Sequence, residues 1–332
     1  MQLPGAILGL VCLVVAVDSS PRDLGSRSTA FCPPLHPLPQ PSLLAASAQA
    51  PSLSSLRGPS APRRAAGASR LVMSEGKAPV PPSVRGEVPC VEADFAHVPN
   101  RPSEVPIITT PLRNRYFALR HGQSEANVDN IISSLPSRGT TIHGLTGLGR
   151  LQARESAPLL LEAIGEGNIE KIVFCSSNFT RARQTAEEAA GALKELLRET
   201  KGDATSSKLD TSVRIIEPLR ERWFGTLDNT IITNYNMVWP ADLKDAQCVQ
   251  YDVESVDACC ERLKGMILAL EGQHEDRDIV LTSHADTLQI LQSFVAGADP
   301  RSFSQFRFKN GEVRRLLQDT SAMPDPVPLT YA

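Results

Sequence analysis

The chain has 332 residues, of which 41% are hydrophobic, and a formal net charge of −3. That composition is sufficient for one sizeable globular core. Residues 1–74 carry six Arg, no Lys and two acidic residues, whereas the remainder carries 28 basic and 35 acidic residues. The larger part of the chain is therefore acidic, which argues against a general nucleic-acid surface.

The first twenty residues are typical of a secretory signal peptide. Residues 6–17 form an apolar run of twelve residues that ends at Asp18, although no basic residue precedes it. A run of this length is too short to span a bilayer but long enough for the core of a signal peptide. We therefore assign residues 1–20 to a signal-like segment and expect no membrane span in the mature protein.

Residues 21–105 have the composition of an organelle transit peptide. They are rich in Ser, Ala, Pro and Arg, and no acidic residue lies between Asp23 and Glu75. A signal-like core followed by such a segment, with Phe31 near the junction, resembles the two-part presequences of algae with complex plastids, which implies a plastid location. The alternative is a disordered or low-complexity tail on a secreted protein.

We place the folded domain at residues 106–320 and a short C-terminal tail at residues 321–332. The first predicted strand of the domain, residues 115–120, is an apolar run that ends in Arg120 and His121. A buried strand of this kind delivers both side chains to the carboxyl edge of a parallel sheet, where α/β proteins bind ligands.

Arg120 and His121 suit attack on a phosphoryl group. A fixed positive charge disfavours the imidazolium form, so we expect His121 to be neutral and nucleophilic near pH 7. Arg120 offers planar donors to an oxyanion. The tripeptide alone is equally consistent with an incidental histidine at the end of a strand.

A helix, a strand and a second helix follow. Thr146 is placed to cap the first helix, in which Pro158 would introduce a kink or a restart. Residues 171–175 predict a buried strand, and an Ala-, Glu- and Leu-rich helix then extends to about Thr200. Arg181 opens this helix, where a cation is unfavourable unless an anion lies there. We therefore favour phosphate binding by Arg181 over a solvated arginine in the first turn.

Glu221 is the candidate acid. It follows the predicted strand at residues 213–216 and is close to two aromatic residues. Desolvation against those rings would raise the pKa of Glu221 and allow it to protonate a leaving oxygen. Two alternatives remain. Glu217 could be the acid, or Glu221 could be a surface residue paired with the arginines on either side of it.

The C-terminal part predicts a second histidine at the same edge of the sheet. An amphipathic helix over residues 254–270 places the adjacent pair of cysteines on its core face. Residues 278–284 then predict a buried strand that ends in His284, followed by a helix. Two histidines at equivalent strand ends favour a shared pocket over two satisfied core residues. Asn310 and Gly311 predict a hairpin turn onto an edge strand.

The cysteines indicate neither a disulfide framework nor a zinc site. The seven of them include no CxxC pair, and Cys259 and Cys260 are adjacent. Spaced pairs are typical of zinc ligands, and an even count is typical of small disulfide-rich domains. We therefore expect reduced thiols, no metal and no cofactor.

Four separated segments, in the right order, resemble the histidine phosphatase superfamily, the phosphoglycerate mutase-like proteins. They are an Arg-His-Gly opening, a second arginine motif, an acid-bearing segment and a second-histidine motif, at residues 120–127, 177–185, 219–225 and 282–285. Three departures are Asn178 for a common Asp, Thr226-Leu227-Asp228 for Trp-Glu-Gly, and Ala285 for a frequent Gly. The resemblance covers residues 112–318 and implies a three-layer α/β/α fold with a mostly parallel central sheet.

The resemblance also implies the roles of the site residues. His121 would be phosphorylated to a phosphohistidine, and Glu221 would protonate the leaving alcohol and then activate water. The phosphate would be bound by Arg120, Arg181, Asn127, Gln123 and the second catalytic imidazole, His284. Concentrated positive charge stabilises a loose phosphoryl transition state without a metal. No essential residue is missing, so a catalytically silent binding module is the less favoured alternative.

The segment after the acid bears on the choice between phosphatase and mutase. A mutase should surround its highly anionic bisphosphate with cations, yet the only basic residue from Trp223 to Glu261 is Lys244. Together with Phe224 and Trp239, Trp223 predicts a substrate lid suited to a less charged or partly apolar phosphomonoester. We therefore predict a metal-independent phosphomonoesterase that acts on a small metabolite. Mutase-type phosphoryl transfer is the alternative, and the oligomeric state stays open.

Overall fold

The structure is a computed structural model that describes residues 95–329. The predicted signal-like segment, residues 1–20, and residues 21–94 of the transit-like region lie outside the described residues, so the presequence stays a prediction. Within the predicted C-terminal tail, the backbone N–H of Val327 donates to the carbonyl oxygen of Gln305, 2.8 Å away. This part of the tail therefore contacts the domain.

Contacts with the domain extend to residues before its predicted start. Residues 95–105 belong to the predicted transit-like region, yet two of them contact residues of the domain. Arg101 Nε donates to Asp245 Oδ1 at 2.9 Å, and Val105 is buried in the main hydrophobic core. Local composition cannot predict these contacts, because both are made with residues far away in the sequence. The domain bounds, residues 106–320, stay a prediction.

Five strands form one sheet with the order β3-β2-β4-β1-β5. They are β1 (Arg115–Arg120), β2 (Ile172–Ser176), β3 (Val213–Ile215), β4 (Asp278–Ser283) and β5 (Val313–Leu316). The pairs β1–β4, β4–β2 and β2–β3 are parallel, and β5 is antiparallel to β1. The carboxyl ends of β1, β2 and β4 therefore meet at one edge, as the sequence predicted.

Helices connect the strands. The α-helices of the described residues are α1 (Glu125–Val128), α2 (Pro136–Gly139), α3 (Gly147–Ile164), α4 (Thr180–Lys201), α5 (Asp203–Ser206), α6 (Trp239–Asp242), α7 (Val256–Gln273) and α8 (Ala285–Ala296). Short 3-10 helices occupy Phe95–His97, Glu166–Lys171, Glu217–Leu219, Gly225–Leu227, Ile232–Met237, Gln250–Asp252, Pro300–Gln305 and Thr320–Ala322. Thr146 caps α3 as predicted, since its hydroxyl accepts from the N–H of Gly149 at 3.0 Å. The helix α3 continues through Pro158 without a break, so the predicted restart is wrong.

The sheet is covered on both faces. Side chains alternate along a strand, so Phe117 and Leu119 of β1 pack with α3 and α4, whereas Tyr116 and Ala118 pack with α7 and α8. Strands buried on both faces are expected to be continuously apolar, which is why β1 and β4 could be recognised from the sequence. The result is the predicted three-layer α/β/α fold with a mostly parallel sheet.

The predicted edge strand is confirmed, but the predicted hairpin is wrong. β5 pairs with β1, and the residues before the turn form no strand. Instead, the turn is fixed to the end of β1. The N–H of Gly311 donates to Arg120 O at 3.1 Å, and Asn310 Nδ2 donates to His121 O at 2.9 Å. Gly311 adopts a φ of 73°, which favours glycine.

The paired cysteines lie on the core face of α7, as predicted. Cys175, Cys259 and Cys260 are buried, and burial raises the pKa of Cys175 and Cys259 to about 12. The pKa of Cys260 is also raised by burial. The four cysteines within the described residues form no disulfide. These buried thiols are therefore protonated and unreactive near pH 7.

Within residues 95–329, no helix has both the length and the apolar character needed to cross a membrane.

Candidate active site

His121 lies immediately after β1 and is 3% exposed. Its Nδ1 is 2.7 Å from the carbonyl oxygen of Gly122. A carbonyl oxygen can only accept, so Nδ1 carries the proton and Nε2 carries the lone pair. Burial, and secondly the charges of Arg181 and Arg120, hold the pKa of His121 well below its usual value. The imidazole is therefore neutral near pH 7, with Nε2 as its nucleophilic atom.

Arg181 is a buried cation. It stands in the first turn of α4, is 3% exposed, and donates from Nε to His121 Nε2 at 3.1 Å and from Nη2 to Ser133 O at 2.8 Å. Its guanidinium lies 5.0 Å from the ring of Phe179. Burial lowers the pKa of Arg181 to about 10, so it stays charged at neutral pH. The alternative of a solvated arginine is excluded.

Arg120 adds a second cation at the end of β1. Its Nη1 donates to Phe308 O at 2.6 Å, and its Nε is buried without a hydrogen-bond partner. Among the described residues, no carboxylate lies within 4.0 Å of the guanidinium of Arg120 or of Arg181. Buried charges are normally paired, so the buried guanidinium of Arg181 and the half-buried one of Arg120 favour the binding of an anion.

His284 follows β4 at the same edge. Arg120 and Ser283 are partners in the β1–β4 pairing, so the two histidines leave adjacent strands at the same level. Their ring centroids are 5.1 Å apart. His284 Nε2 is hydrogen-bonded to Ser177 Oγ at 2.9 Å, while Nδ1 is buried without a partner. Burial, followed by the charge of Arg181, keeps the pKa of His284 well below its usual value.

Glu221 lies in the segment after β3 and is 6% exposed. Its Oε1 accepts three hydrogen bonds, from the N–H of Arg222 at 3.0 Å, the hydroxyl of Thr287 at 3.2 Å and the N–H of Thr287 at 3.3 Å. No hydrogen bond of the described residues involves Oε2. The carboxyl is therefore held by one oxygen and can offer the other to a ligand.

The arginines on either side of this carboxyl are engaged elsewhere. Arg220 forms two hydrogen bonds of 2.9 Å with Glu254. Arg222 is fully buried and forms two with Asp242, at 2.6 and 2.8 Å. Glu221 is therefore not a surface residue paired with these arginines, whereas the competitor Glu217 is exposed. The assignment of Glu221 as the acid stays a prediction.

Asn127 and Gln123, two of the predicted phosphate ligands, form hydrogen bonds within the protein. Asn127 Oδ1 accepts from the N–H of Ser124 at 3.0 Å and from its hydroxyl at 3.1 Å, which caps α1. Gln123 Oε1 accepts from the hydroxyl of Thr146 at 2.8 Å. These bonds fix the loop that follows His121. Phosphate binding by Asn127 or Gln123 stays a prediction.

The three aromatic residues predicted for the lid have different surroundings. Phe224 is fully buried in a small cluster, and Tyr235 packs edge-on against it at 4.9 Å. Tyr235 also stacks on Trp239, with ring centroids 4.8 Å apart. Trp223 is partly exposed, and its backbone N–H donates to Glu254 Oε2 at 3.1 Å. Trp239 and Tyr235 therefore form a stacked pair that rests on Phe224.

Sequence reasoning missed two charged residues beside this pair. Asp286 accepts a hydrogen bond from Trp239 Nε1 at 3.1 Å, and the guanidinium of Arg307 lies 5.4 Å from the Trp239 ring. Asp286 could have been noticed as an acid two residues after His284. Arg307 carries no local signal, because it approaches from the loop before β5.

A neutral imidazole near two arginines that lack a carboxylate partner suits a class of enzyme in which a histidine attacks a phosphoryl group. The sequence agrees with this class. The model of the histidine phosphatase superfamily (branch 1) matches residues 116–323, and the chain belongs to that family. The resemblance predicted from four motifs is thereby confirmed, and the chain is an enzyme of the phosphatase or mutase type.

A comparison with solved structures finds several similar proteins. A mycobacterial glucosyl-3-phosphoglycerate phosphatase is 22% identical, covering 61% of this chain and 92% of its own, with a TM-score of 0.46. A phosphoserine phosphatase mutant from Entamoeba histolytica, in complex with phosphoserine, is 20% identical, covering 61% and 89%, with a TM-score of 0.45. A putative alpha-ribazole-5'-P phosphatase from Escherichia coli is 23% identical, covering 61% and 89%, with a TM-score of 0.43. A search of curated proteins gives no match.

Proposed function

We propose that this protein is a metal-independent phosphomonoesterase that acts through a phosphohistidine on His121. The observation that carries the proposal is the pair of guanidiniums of Arg120 and Arg181, which lack a carboxylate partner among the described residues; Arg181 contacts His121 Nε2, and the charges of both act on His121. Phosphate oxygens would supply the missing anionic partners. A phosphomonoester bound there would present its phosphorus to Nε2.

In the first step, Nε2 of His121 forms a bond to phosphorus as the bond from phosphorus to the leaving oxygen breaks. Arg181 would release Nε2 and donate to a phosphate oxygen instead. Arg120 Nε and His284 Nδ1, both buried without a partner, are donors of the right kind for the remaining oxygens. Positive charge and fixed donors around the equatorial oxygens stabilise the transition state.

Glu221 would serve as acid and then as base. Its Oε2 gives a proton to the leaving oxygen, so that a neutral alcohol departs. The resulting carboxylate takes a proton from water, which attacks the phosphohistidine and releases inorganic phosphate. Thr287 supports both steps because its N–H and hydroxyl hold Oε1 in place.

The placement of Lys244 supports a phosphatase over a mutase. Its ammonium group donates to the carbonyl oxygen of Phe95 at 2.7 Å. The only basic residue between Trp223 and Glu261 is therefore bound to the N-terminal segment of the described chain. A bisphosphate would gain little from this part of the protein.

A mutase is the second candidate, and Arg307 favours it. This residue brings a cation to the Trp239 ring from a different part of the chain, at 5.4 Å. A second phosphate or a carboxylate of a substrate could pair with it. The two candidates differ in chemistry, because a mutase needs a bisphosphate to phosphorylate His121 and returns the phosphoryl group to its product.

The test is phosphate release from p-nitrophenyl phosphate by the full chain in EDTA. We expect release in the wild type, loss of at least about a thousandfold in His121→Ala, and near wild-type release in the matched control Glu217→Gln, which alters an exposed carboxyl on the same segment. No release from the wild type, or full activity in His121→Ala, would contradict the proposal. A mutase assay primed with a bisphosphate would then be the next measurement.

A further inference from the structure

Asp286 is a buried carboxyl that the proposed catalytic steps do not use. It lies two residues after His284 in the first turn of α8 and is 2% exposed. Its Oδ2 accepts from Trp239 Nε1 at 3.1 Å and is 3.7 Å from Arg222 Nη1. No hydrogen bond of the described residues involves Oδ1. A carboxyl held by one oxygen, like Glu221, is positioned to bind with the other.

The chain places Asp286 directly beside the acid. The next residue, Thr287, donates both its N–H and its hydroxyl to Glu221 Oε1. The charge of Glu221 acts on Asp286, and the charge of Asp286 acts on Arg120 and Tyr235. Asp286 thus lies beside the residue that holds the proposed acid, from which the leaving oxygen would take its proton.

Its charge depends on pH near neutrality. Burial, and secondly the charge of Glu221, raise the pKa of Asp286 to about 7, and Arg222 opposes this rise. The charged, titratable and hydrogen-bonding groups that face it are Glu221, Arg222, Asp242, Tyr235, Trp239 and Arg120. Arg222 is already matched by Asp242 through two hydrogen bonds. Arg222 therefore offsets the charge of an ionised Asp286 only in part.

We infer that Asp286 determines specificity for the leaving group, accepting a hydrogen bond through Oδ1 from a hydroxyl or ammonium group of the substrate. The inference rests on the proposed function and defines its substrate class. Phosphomonoesters with a donor group near the phosphate are accepted, and those with a carboxylate or second phosphate at that place are disfavoured. Like charges in a site shielded from water repel strongly, so the carboxylate of Asp286 would weaken the binding of substrates with a second negative group.

Two substrates of equal length separate these effects. Glycerol 3-phosphate and 3-phosphoglycerate differ in that a hydroxymethyl group of the first is a carboxylate in the second. We expect the wild type to have the higher kcat/KM for glycerol 3-phosphate at pH 8. In Asp286→Asn, which keeps an acceptor but removes the charge, the ratio of the two kcat/KM values should fall by at least about tenfold. The ratio is unaffected by the folded fraction of a variant.

A control variant tests whether the effect depends on where the negative charge is removed. Asp276→Asn removes one negative charge from an exposed side chain and should leave the ratio unchanged. The wild type provides an independent measurement, since its ratio should rise from pH 6 to pH 8 as Asp286 ionises. The carboxylate of 3-phosphoglycerate stays ionised over this range. This measurement decides the question if Asp286→Asn does not fold.

The outcomes are distinct. A ratio that falls in Asp286→Asn and rises with pH in the wild type supports the inference. An unchanged ratio in Asp286→Asn, or a wild-type ratio that is flat with pH, would overturn it. Phosphate release from p-nitrophenyl phosphate without any preference for glycerol 3-phosphate would overturn the role of Asp286 alone. No release from any of the three esters would overturn the proposed function and this inference with it.

Discussion

The stability of the protein should fall as the pH drops below about 6.5, because two imidazoles are buried in their neutral form. The pKa values of His121 and His284 are held well below the usual value by burial and by the charge of Arg181. In the unfolded chain each imidazole binds a proton near pH 6.5. Below that pH the unfolded state therefore holds more protons than the folded state, and the free energy of unfolding decreases.

The magnitude follows from the number of protons. A group that is protonated only in the unfolded state lowers the free energy of unfolding by about 1.4 kcal/mol per pH unit. His121 and His284 together contribute about 2.7 kcal/mol per unit, between pH 6.5 and their lowered folded-state pKa values. That is a large share of the roughly 5–15 kcal/mol by which a domain is stable. Above pH 6.5 both imidazoles are neutral in the unfolded chain as well, so this loss of stability is absent.

The assay is urea unfolding of the full chain at pH 7, 6 and 5, followed by circular dichroism. Carboxylates also titrate in this range, so the contribution of one imidazole is isolated by comparing the wild type with His284→Asn. The variant should lose stability between pH 6 and pH 5 by about 1.4 kcal/mol less than the wild type. His97→Asn, which alters an exposed imidazole, is the control. Equal losses in the wild type and in His284→Asn would refute the reasoning.

Three further predictions concern the acid, a buried ion pair and the presequence. In the first turnover, Glu221→Gln should slow alcohol release from an alkyl phosphate by about 10²–10⁴ and from an aryl phosphate far less, since only the alkoxide needs a proton; equal losses in this step, measured before the phosphohistidine is hydrolysed, would count against the acid role. Asp242→Ala removes both hydrogen bonds between buried Arg222 and a carboxylate and leaves only the longer contact with Asp286, so urea unfolding should show a loss of about 3–5 kcal/mol, and a loss below about 1 kcal/mol would contradict this. Residues 1–105 fused to a fluorescent protein should direct it into a complex plastid, and export from the cell would oppose that proposal.

The parts of the fold that depend on local pattern could be predicted. The run before Arg120 matches β1, and the run before His284 matches β4, because a strand buried on both faces is recognisable without its neighbours. The two histidines then had to meet, since parallel neighbours end at the same edge. The cap at Thr146 depends on a bond three residues away and was equally readable.

The parts that depend on distant contacts could not be predicted. The turn at Gly311 has the sequence of a hairpin, but its N–H bonds the end of β1 and no strand precedes it. Val105 lies in a Pro-rich region and nevertheless joins the core. The cation over Trp239 comes from Arg307, outside the segment in which cations were sought. In each case the deciding partner is remote in the sequence.

The central claim is that His121 carries the phosphoryl group. The most direct measurement mixes the full chain with p-nitrophenyl phosphate, stops the reaction in alkali, which preserves phosphohistidine, and locates the phosphate by peptide mass spectrometry. We predict phosphate on the imidazole of His121 in the wild type and none in His121→Ala. A phosphoryl group on another residue, or phosphate release by His121→Ala at the wild-type rate, would contradict the account.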